Sequence, residues 1–535
     1  MAPNGGKRDS GDAMIYMEEK RNFRVKRTLL RVYLGLSVLC IAICACDEDA
    51  KICRDWVHAH NGKSLTYRIS EGETADLLLK SPIVEAIAEP EADGRYHLTA
   101  VNALPCHIFT VDVGASCSNT LLRYSGHTRD GERLALYVYD PSEGIWDRVD
   151  DAMSEGDADC DLEAVVDNRT YVNDGILKAL VAPELAANDA DSFAFTGDTQ
   201  NYTSRNMYID GQPNGIYRAV TTWGRDEFLA GRIAHFHHAG DMANSIVTSD
   251  AELEAEWQIV DEAHRVLDEV GVPFSVSPGD HDSSYSNSNT EKHWNFRPYY
   301  EKTFPVSRFD DTIWYGDHYI TNYAFYALVT IADRDFIFIG TGKDDYPYDW
   351  MNDVLARYRH RIAVIGRHAY LQAVGNYGAL GTLFFQQVVS RNENVRLVLA
   401  GHVGKRFHQV TDIGGRKVVE SVVDHTNYYP LPEGRGAEGY LSMISFRQGK
   451  LISQTYSPWR REYLNEPEEA WQVDFELPDT VRELHTGKFS AELCKGCAVS
   501  PVCERNRKCS NAFVRESHGK WLGVFAEHGD DMSIR

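Results

Sequence analysis

Aspartate and histidine close five apolar runs of this chain. The first run, Phe193-Ala194-Phe195, halts at Gly197-Asp198-Thr199-Gln200, the pattern of a buried strand ending in a loop. A carboxylate just past the carboxyl end of a strand stands where α/β sheets place their ligands. The pattern returns at His235 to Gly240-Asp241, and again at Phe274 to Gly279-Asp280-His281-Asp282. It appears twice more, where Ile362 to Gly366 leads to His368 and Val395 to Gly401 leads to His402. Carboxylates and imidazoles delivered to one rim by five strand ends predict a metal site.

In order and spacing, Asp198-Thr199-Gln200, Gly240-Asp241, Gly279-Asp280-His281-Asp282, His368 and Gly401-His402-Val403-Gly404 resemble the motif set of the calcineurin-like metallophosphoesterases. The resemblance covers roughly 191–459, half the chain, and the ordered set is far more specific than any single block. It departs from the family pattern at Gln200 (for His), Asp280 (for Asn) and Gly404 (for the last His). The resemblance implies an α/β fold of two packed mixed β-sheets flanked by helices, and two divalent metal ions, Mn, Fe or Zn. One ion would take Asp198, Gln200, Asp241 and the donor missing at Gly404. The other would take Asp241, Asp280, His368 and His402. The second site is thus expected to bind firmly and the first weakly, unless water or a side chain from elsewhere replaces the lost imidazole. The resemblance further gives His281 the role of leaving-group stabiliser or general acid, with Asp282 orienting it. Lys405 and Arg406 follow the gap, where a cation either disfavours the first metal or binds substrate phosphate.

Such a site suits phosphoester hydrolysis. The substrate is anionic, and two closely spaced metals both clamp its oxygens and generate a nucleophile from water at neutral pH. A small-molecule or nucleotide phosphoester is the expected substrate. A formal charge of -24 argues against a nucleic-acid-binding surface, which needs a basic patch. The chain's 43% apolar and 25% charged residues are ordinary for a globular protein, and its 535 residues allow two to four domains.

The first 46 residues read as a targeting segment. Basic residues at 20–27 precede an apolar core of about 15 residues, short for a membrane span and suited to a signal peptide. Ile43-Cys44-Ala45-Cys46 resembles a lipobox in which Cys46 is acylated, with a retained signal anchor as the alternative. Either way the rest of the chain is expected outside the cytoplasm, held at a membrane by its N-terminus or secreted. Eight further cysteines at 53, 106, 117, 160, 494, 497, 503 and 509 then read as disulfides. The last four could instead bind zinc, although they lack the second close pair of a zinc ribbon.

Residues 53–187 read as a small β-rich domain, with strand-like runs near 95–101, 107–113 and 134–139 and turns at Asp130-Gly131 and Asp140-Pro141. The acidic stretch 154–163 lacks the alternating ligands of a calcium loop and reads as solvated. Within 191–459, a helix is expected from Ser249 to Gly271, a hairpin about Asp333-Arg334-Asp335, and a helix over 350–358. Residues 460–535 read as a cysteine-containing tail. His235, His237 and His238 cannot all reach one ion from one strand, so they are expected in the core or at the surface. Two functions stay open: a metal-dependent phosphoesterase, or a degenerate relative whose fold survives as a binding or structural module. Oligomeric state is not legible.

Overall fold

The computed structural model describes residues 96–493, apart from 102–104, 114–117, 143–144, 184–189, 204–214, 245–249, 283, 286–291, 294–297, 321, 343–345 and 426–437. It adds strands at 66–68, 74–77, 87–90, 511–515 and 521–525. Cys46, the other cysteines of 1–65, Cys117 and the four-cysteine cluster lie outside the described residues, as do Ser249 and Arg297. Among the described residues no helix is long and apolar enough to cross a membrane.

The centre is two β-sheets packed face to face. In the first, the strands Phe274–Val276, Phe236–His238 and Ser192–Thr196 run parallel, and Leu441–Arg447 and Lys450–Ser457 continue the sheet antiparallel. In the second, the order is Tyr315–Tyr319, Ala324–Ile331, Arg334–Thr341, Ile362–Arg367, Val395–Ala400, Arg416–Val423 and Arg406–Ile413. Its four middle strands from Arg334–Thr341 to Arg416–Val423 are mutually parallel. Parallel strands buried on both faces read as unbroken apolar runs, which is why these segments were visible in the sequence.

Side-chain alternation divides the second sheet between two cores. Phe336, Phe338, Val364, Leu397 and Leu399 face the first sheet and share a cluster with Phe193, Phe236 and Phe274. Ile337, Ile339, Ala363, Ile365 and Val398 face outward, under Met351 and Leu355 of the helix Tyr348–Arg357 and Phe384 of Gly378–Phe384. The helix Asp250–Asp268 buries Leu253, Trp257, Val260, Ala263 and Leu267, the 3.6-residue stripe expected of it, in the first core. The layering is therefore α/β with mixed sheets and flanking helices. The predicted hairpin turns at Ala332-Asp333, both at positive φ (50° and 59°), a two-residue turn whose twist suits the flanking strands.

N-terminal to this unit stands a β-sandwich. One sheet orders Thr66–Arg68, His107–Asp112, Ile176–Pro183, Arg133–Asp140 and Ile145–Met153. The other orders Ile87–Pro90, Tyr96–Val101, Val481–Leu493, Asn119–His127 and Cys160–Asp167, and Phe109, Leu122, Val138, Leu162 and Phe489 fill the space between them. Two expectations are corrected here. Residues 460–493 do not belong to a separate tail: Glu462–Tyr463 and Ala470–Asp474 extend the first central sheet, and Val481–Leu493 becomes an interior strand of the sandwich. Pairing between strands more than 350 residues apart leaves no local signature. Cys160, counted among the disulfide cysteines, carries a free thiol whose Sγ donates to the Gly126 carbonyl at 3.2 Å.

Buried ion pairs fix the sandwich to the central unit. Glu132 accepts from Arg361 (Nε, 2.7 Å) and His360 (2.8 Å), and Asp335 accepts from Arg482 at 2.8 and 2.9 Å.

Candidate metal centre

All five motif-bearing strands end on the same rim, because within each sheet they are parallel. Three of the residues they deliver sit in the left-handed region that side chains avoid: Asp198 (φ 56°), Asp241 (φ 55°) and His402 (φ 77°). Non-glycine residues held there cost about 1–3 kcal/mol each and gather at functional sites. The neighbouring glycines leave room for them. A Cβ on Gly279 would stand 2.0 Å from Asp241 Oδ1 and 2.2 Å from its backbone N, and one on Gly401 would stand 1.9 Å from Asp198 Oδ2.

Ligand atoms of Asp241, Asp280, His368 and His402 lie within 4.8 Å of one another. Asp280 Oδ1 is 3.2 Å from His368 Nε2 and 2.8 Å from His402 Nδ1; Asp241 Oδ1 is 3.3 Å from His368 Nε2. The His368 ring is oriented from behind, Nδ1 donating to the Ala239 carbonyl at 2.9 Å, so that Nε2 faces the Asp241 and Asp280 carboxylates, donating to them when protonated and able to ligate an ion held between them when not. Burial opposes charge on this imidazole, yet Asp241, Asp280 and Asp198 hold its pKa well above the ordinary value. Burial likewise opposes the Asp280 carboxylate, and His368 and His402 keep it far below the usual range. The carboxylates demand a positive charge at their centre, which a proton or a metal ion can meet.

Asp198 and Gln200 lie outside that four-atom cluster but beside it. The Asp198 backbone N–H donates to the Gly240 carbonyl at 2.9 Å, its Oδ1 accepts the His402 N–H at 2.9 Å, and the Gln200 amide donates to Asp241 Oδ2 at 3.3 Å. Asp198 Oδ2 and Gln200 Oε1 are buried acceptors with no hydrogen-bond partner in the protein. Orphaned buried acceptors are rare, and here they belong to two residues that the sequence places on the first ion. This donor set fits divalent cations: carboxylates, an amide oxygen and two imidazoles, converging in a buried rim.

Asp282 does not orient His281. Its Oδ1 accepts the N–H groups of Met242 (2.8 Å) and Ala243 (3.1 Å), and its Oδ2 accepts that of Gly279 (2.7 Å). It clips the Asp241 loop to the Asp280 loop. Burial, with the charge of Asp241, pushes this carboxyl up to about 6 against the Gly279 and Ala243 bonds. His281 is oriented instead by the Asn244 carbonyl, 2.8 Å from its Nδ1, while its backbone N–H donates to Asp241 Oδ1 at 2.8 Å.

Arg406 is engaged elsewhere, its Nε donating to buried Glu469 at 2.6 Å, with His425 at 3.0 Å on the same carboxylate. Burial would raise Glu469, but His425 and Arg406 hold it at about 2. Lys405 is exposed beside the loop. The three crowded histidines are core residues. His235 and His237 share the Ser275 hydroxyl (2.8 and 2.6 Å), and burial keeps all three imidazoles neutral by lowering their pKa. His238 has a task that sequence reasoning missed. Its Nε2 is 2.9 Å from Thr199 Oγ1 and its Nδ1 accepts the Gly240 N–H at 3.1 Å, tying the first motif loop to the second.

Sequence reasoning also missed Asp424. It is buried at the end of Arg416–Val423, and its carboxylate accepts the backbone N–H of Gly404. Val422-Val423-Asp424 carries the same signal as the other sites, an apolar run closed by a carboxylate, without the glycine that marks them.

No family model matches the chain. A search of known proteins found an uncharacterized protein, YvnB, of Bacillus subtilis (strain 168), 28% identical over 426 residues; the match covers 75% of this chain and 31% of that protein's length. Similar solved structures include a dimetal phosphatase from Danio rerio (11% identity, TM-score 0.35, 54% of this chain and 100% of that one). Another is the purple acid phosphatase PPD1 from yellow lupin (Lupinus luteus) seeds, at 10% identity, TM-score 0.36, and 67% and 72% of the two chains. Likeness at this level decides nothing about activity in this chain, for which its own side chains must answer.

Proposed function

We propose that the chain is a metal-dependent phosphoesterase acting on a small-molecule or nucleotide phosphomonoester or phosphodiester. The observation that carries this reading is the convergence of Asp241, Asp280, His368 and His402 within 4.8 Å, with the unpartnered oxygens of Asp198 and Gln200 alongside. Divalent ions held there would neutralise the phosphate and supply a nucleophilic water at neutral pH. Asp241 would be shared between the ions. Its carboxylate is fixed by the His281 N–H on one oxygen and by Gln200 on the other. His368 and His402 present ring nitrogens to the same centre. His281, its Nδ1 proton held by the Asn244 carbonyl, would stabilise or protonate the leaving group from Nε2. With Arg406 bound to Glu469, exposed Lys405 is the cation at the loop that remains to meet substrate.

Gly404 favours a second reading, a binding module whose first metal site is impaired. Metal analysis of the purified protein, followed by phosphomonoesterase and phosphodiesterase assays with Mn, Fe and Zn, separates the two. Metal-dependent turnover lost in Asp241→Ala supports the enzyme, and metal binding without turnover on any ester supports the module. We further propose that residues 1–46 export the chain and tether it to a membrane through acylated Cys46, the basic–apolar–cysteine order being the support.

A further inference from the structure

We propose that Asp424 supplies the donor that Gly404 lacks, completing the first metal site as Asp198, Gln200, Asp241 and Asp424. The inference rests on the metal-dependent reading above and assigns a ligand that the motif order does not contain. Asp424 follows Val423, at the carboxyl end of a strand that runs parallel to Val395–Ala400, the strand that delivers His402. It therefore reaches the same rim. Its backbone is anchored to the motif loop, Asp424 N–H to the Lys405 carbonyl at 3.2 Å, and its Oδ2 accepts the Gly404 N–H, so the carboxylate stands against the backbone of the residue that replaces the last histidine. The strand end also abuts the first motif: the Val423 carbonyl lies 3.7 Å from the place of a Cβ on Gly197, next to Asp198.

The second observation is independent of this cluster of acids. Asp198 Oδ2 and Gln200 Oε1 are acceptors without partners, on residues each only 2% exposed. Asp198, Asp241 and Asp424 are each buried at this rim, where carboxylates call for a compensating positive charge. The Gly404 N–H occupies one lone pair of the Asp424 carboxylate, and a carboxylate has others to give. The two sites then differ in kind. The first offers only oxygen, which suits hard ions such as Mn²⁺ or Mg²⁺, whereas the second adds two imidazoles, which suit Zn²⁺ and Fe. Gly404 itself sits at φ 62°, a conformation in which the histidine of the family pattern would be strained.

Titrating the metal-stripped full chain with Mn²⁺, by calorimetry and by metal analysis after dialysis, tests this. The parent is expected to bind two equivalents with the paramagnetic resonance of a coupled pair. Asp424→Asn, which keeps an oxygen for the Gly404 N–H, and Asp424→Ala are both expected to lose one equivalent, or to weaken it at least tenfold, and to show the six-line signal of an isolated ion. His402→Ala should weaken the other equivalent. Thermal melts in chelator identify any variant that is unfolded, and Asp424→Asn decides where Asp424→Ala is. Two equivalents at parental affinity in Asp424→Asn overturn the assignment. So does a loss confined to Asp424→Ala, since Asp424 would then merely hold the loop. A parent that binds no Mn²⁺ or Zn²⁺ instead refutes the phosphoesterase reading.

Discussion

Replacing Asp282 by Asn separates two roles that the sequence cannot distinguish. As a clip, Asp282 holds three backbone N–H groups at 2.7–3.1 Å, two from the Asp241 loop and one from the Asp280 loop. Asparagine keeps one oxygen for Met242 and Ala243 but turns an NH₂ toward the Gly279 N–H. One buried donor loses its acceptor, at a cost of about 1–3 kcal/mol. With about 2–4 °C per kcal/mol for a domain of this class, Tm should fall by about 2–12 °C. Asp282→Ala strips all three donors and should fall further. Because the clip joins the loops that carry Asp241 and Asp280, apparent metal affinity should weaken by about 10–100-fold, the usual effect of removing a residue that orients ligands. Differential scanning calorimetry with and without Mn²⁺, beside metal analysis, measures both effects. A variant with parental Tm and metal content but lowered kcat would refute the clip and restore the role of orienting His281.

Other outcomes follow from the same geometry. His281→Ala should lower turnover by a factor on the order of 10² or more with metal content nearly intact, whereas Asp241→Ala should lose metal and activity together; equal metal loss in both would show the roles misassigned. Burial opposes ionisation of Glu132, but Arg361 and His360 hold its carboxyl well below the ordinary range. Its contribution is thus present above the unfolded pKa of about 4.3 and lost as pH falls below it. Arg361→Ala, which leaves that carboxylate buried and unpaired, should cost about 3–5 kcal/mol at pH 7 by denaturant titration and less at pH 4, and a pH-independent cost would refute the pairing argument. Cys46→Ser should release the protein from membranes or leave its precursor uncleaved, and unchanged membrane retention at full-length mass would support a signal anchor.

The rim was legible because each strand there is a local event, an apolar run stopped by glycine and a polar ligand, and local events leave local signatures. Asp198, Asp241, Asp280, His368 and His402 could be read for that reason. Asp282 was misassigned because its partners are backbone N–H groups, which no side-chain pattern records. Asp424 was overlooked because its strand alternates with a polar Glu420 and lacks the terminal glycine, although its carboxyl end matches the others. Arg406 was read as a cation free to act at the loop because its partner Glu469 lies 63 residues further along the chain. The sandwich was only half visible: runs near Tyr96, His107 and Arg133 showed as strands, but the strand that lies between Tyr96–Val101 and Asn119–His127 comes from beyond residue 480.

That late strand sets an order of assembly. A chain emerging from its N-terminus presents the first strands of the sandwich some 350 residues before the segment that must slot between them. Until then the edges of Tyr96–Val101 and Asn119–His127 have backbone donors and acceptors facing a gap. The central α/β unit, whose parallel strands lie close in sequence, can close in the meantime and bring Val481–Leu493 to the gap through the Arg482–Asp335 pair. The sandwich thus closes only once the strand Val481–Leu493 has been made. A product cut short before residue 481 would retain every motif of the metal rim yet carry an open sheet, the kind of edge that invites pairing with a second chain and disposal.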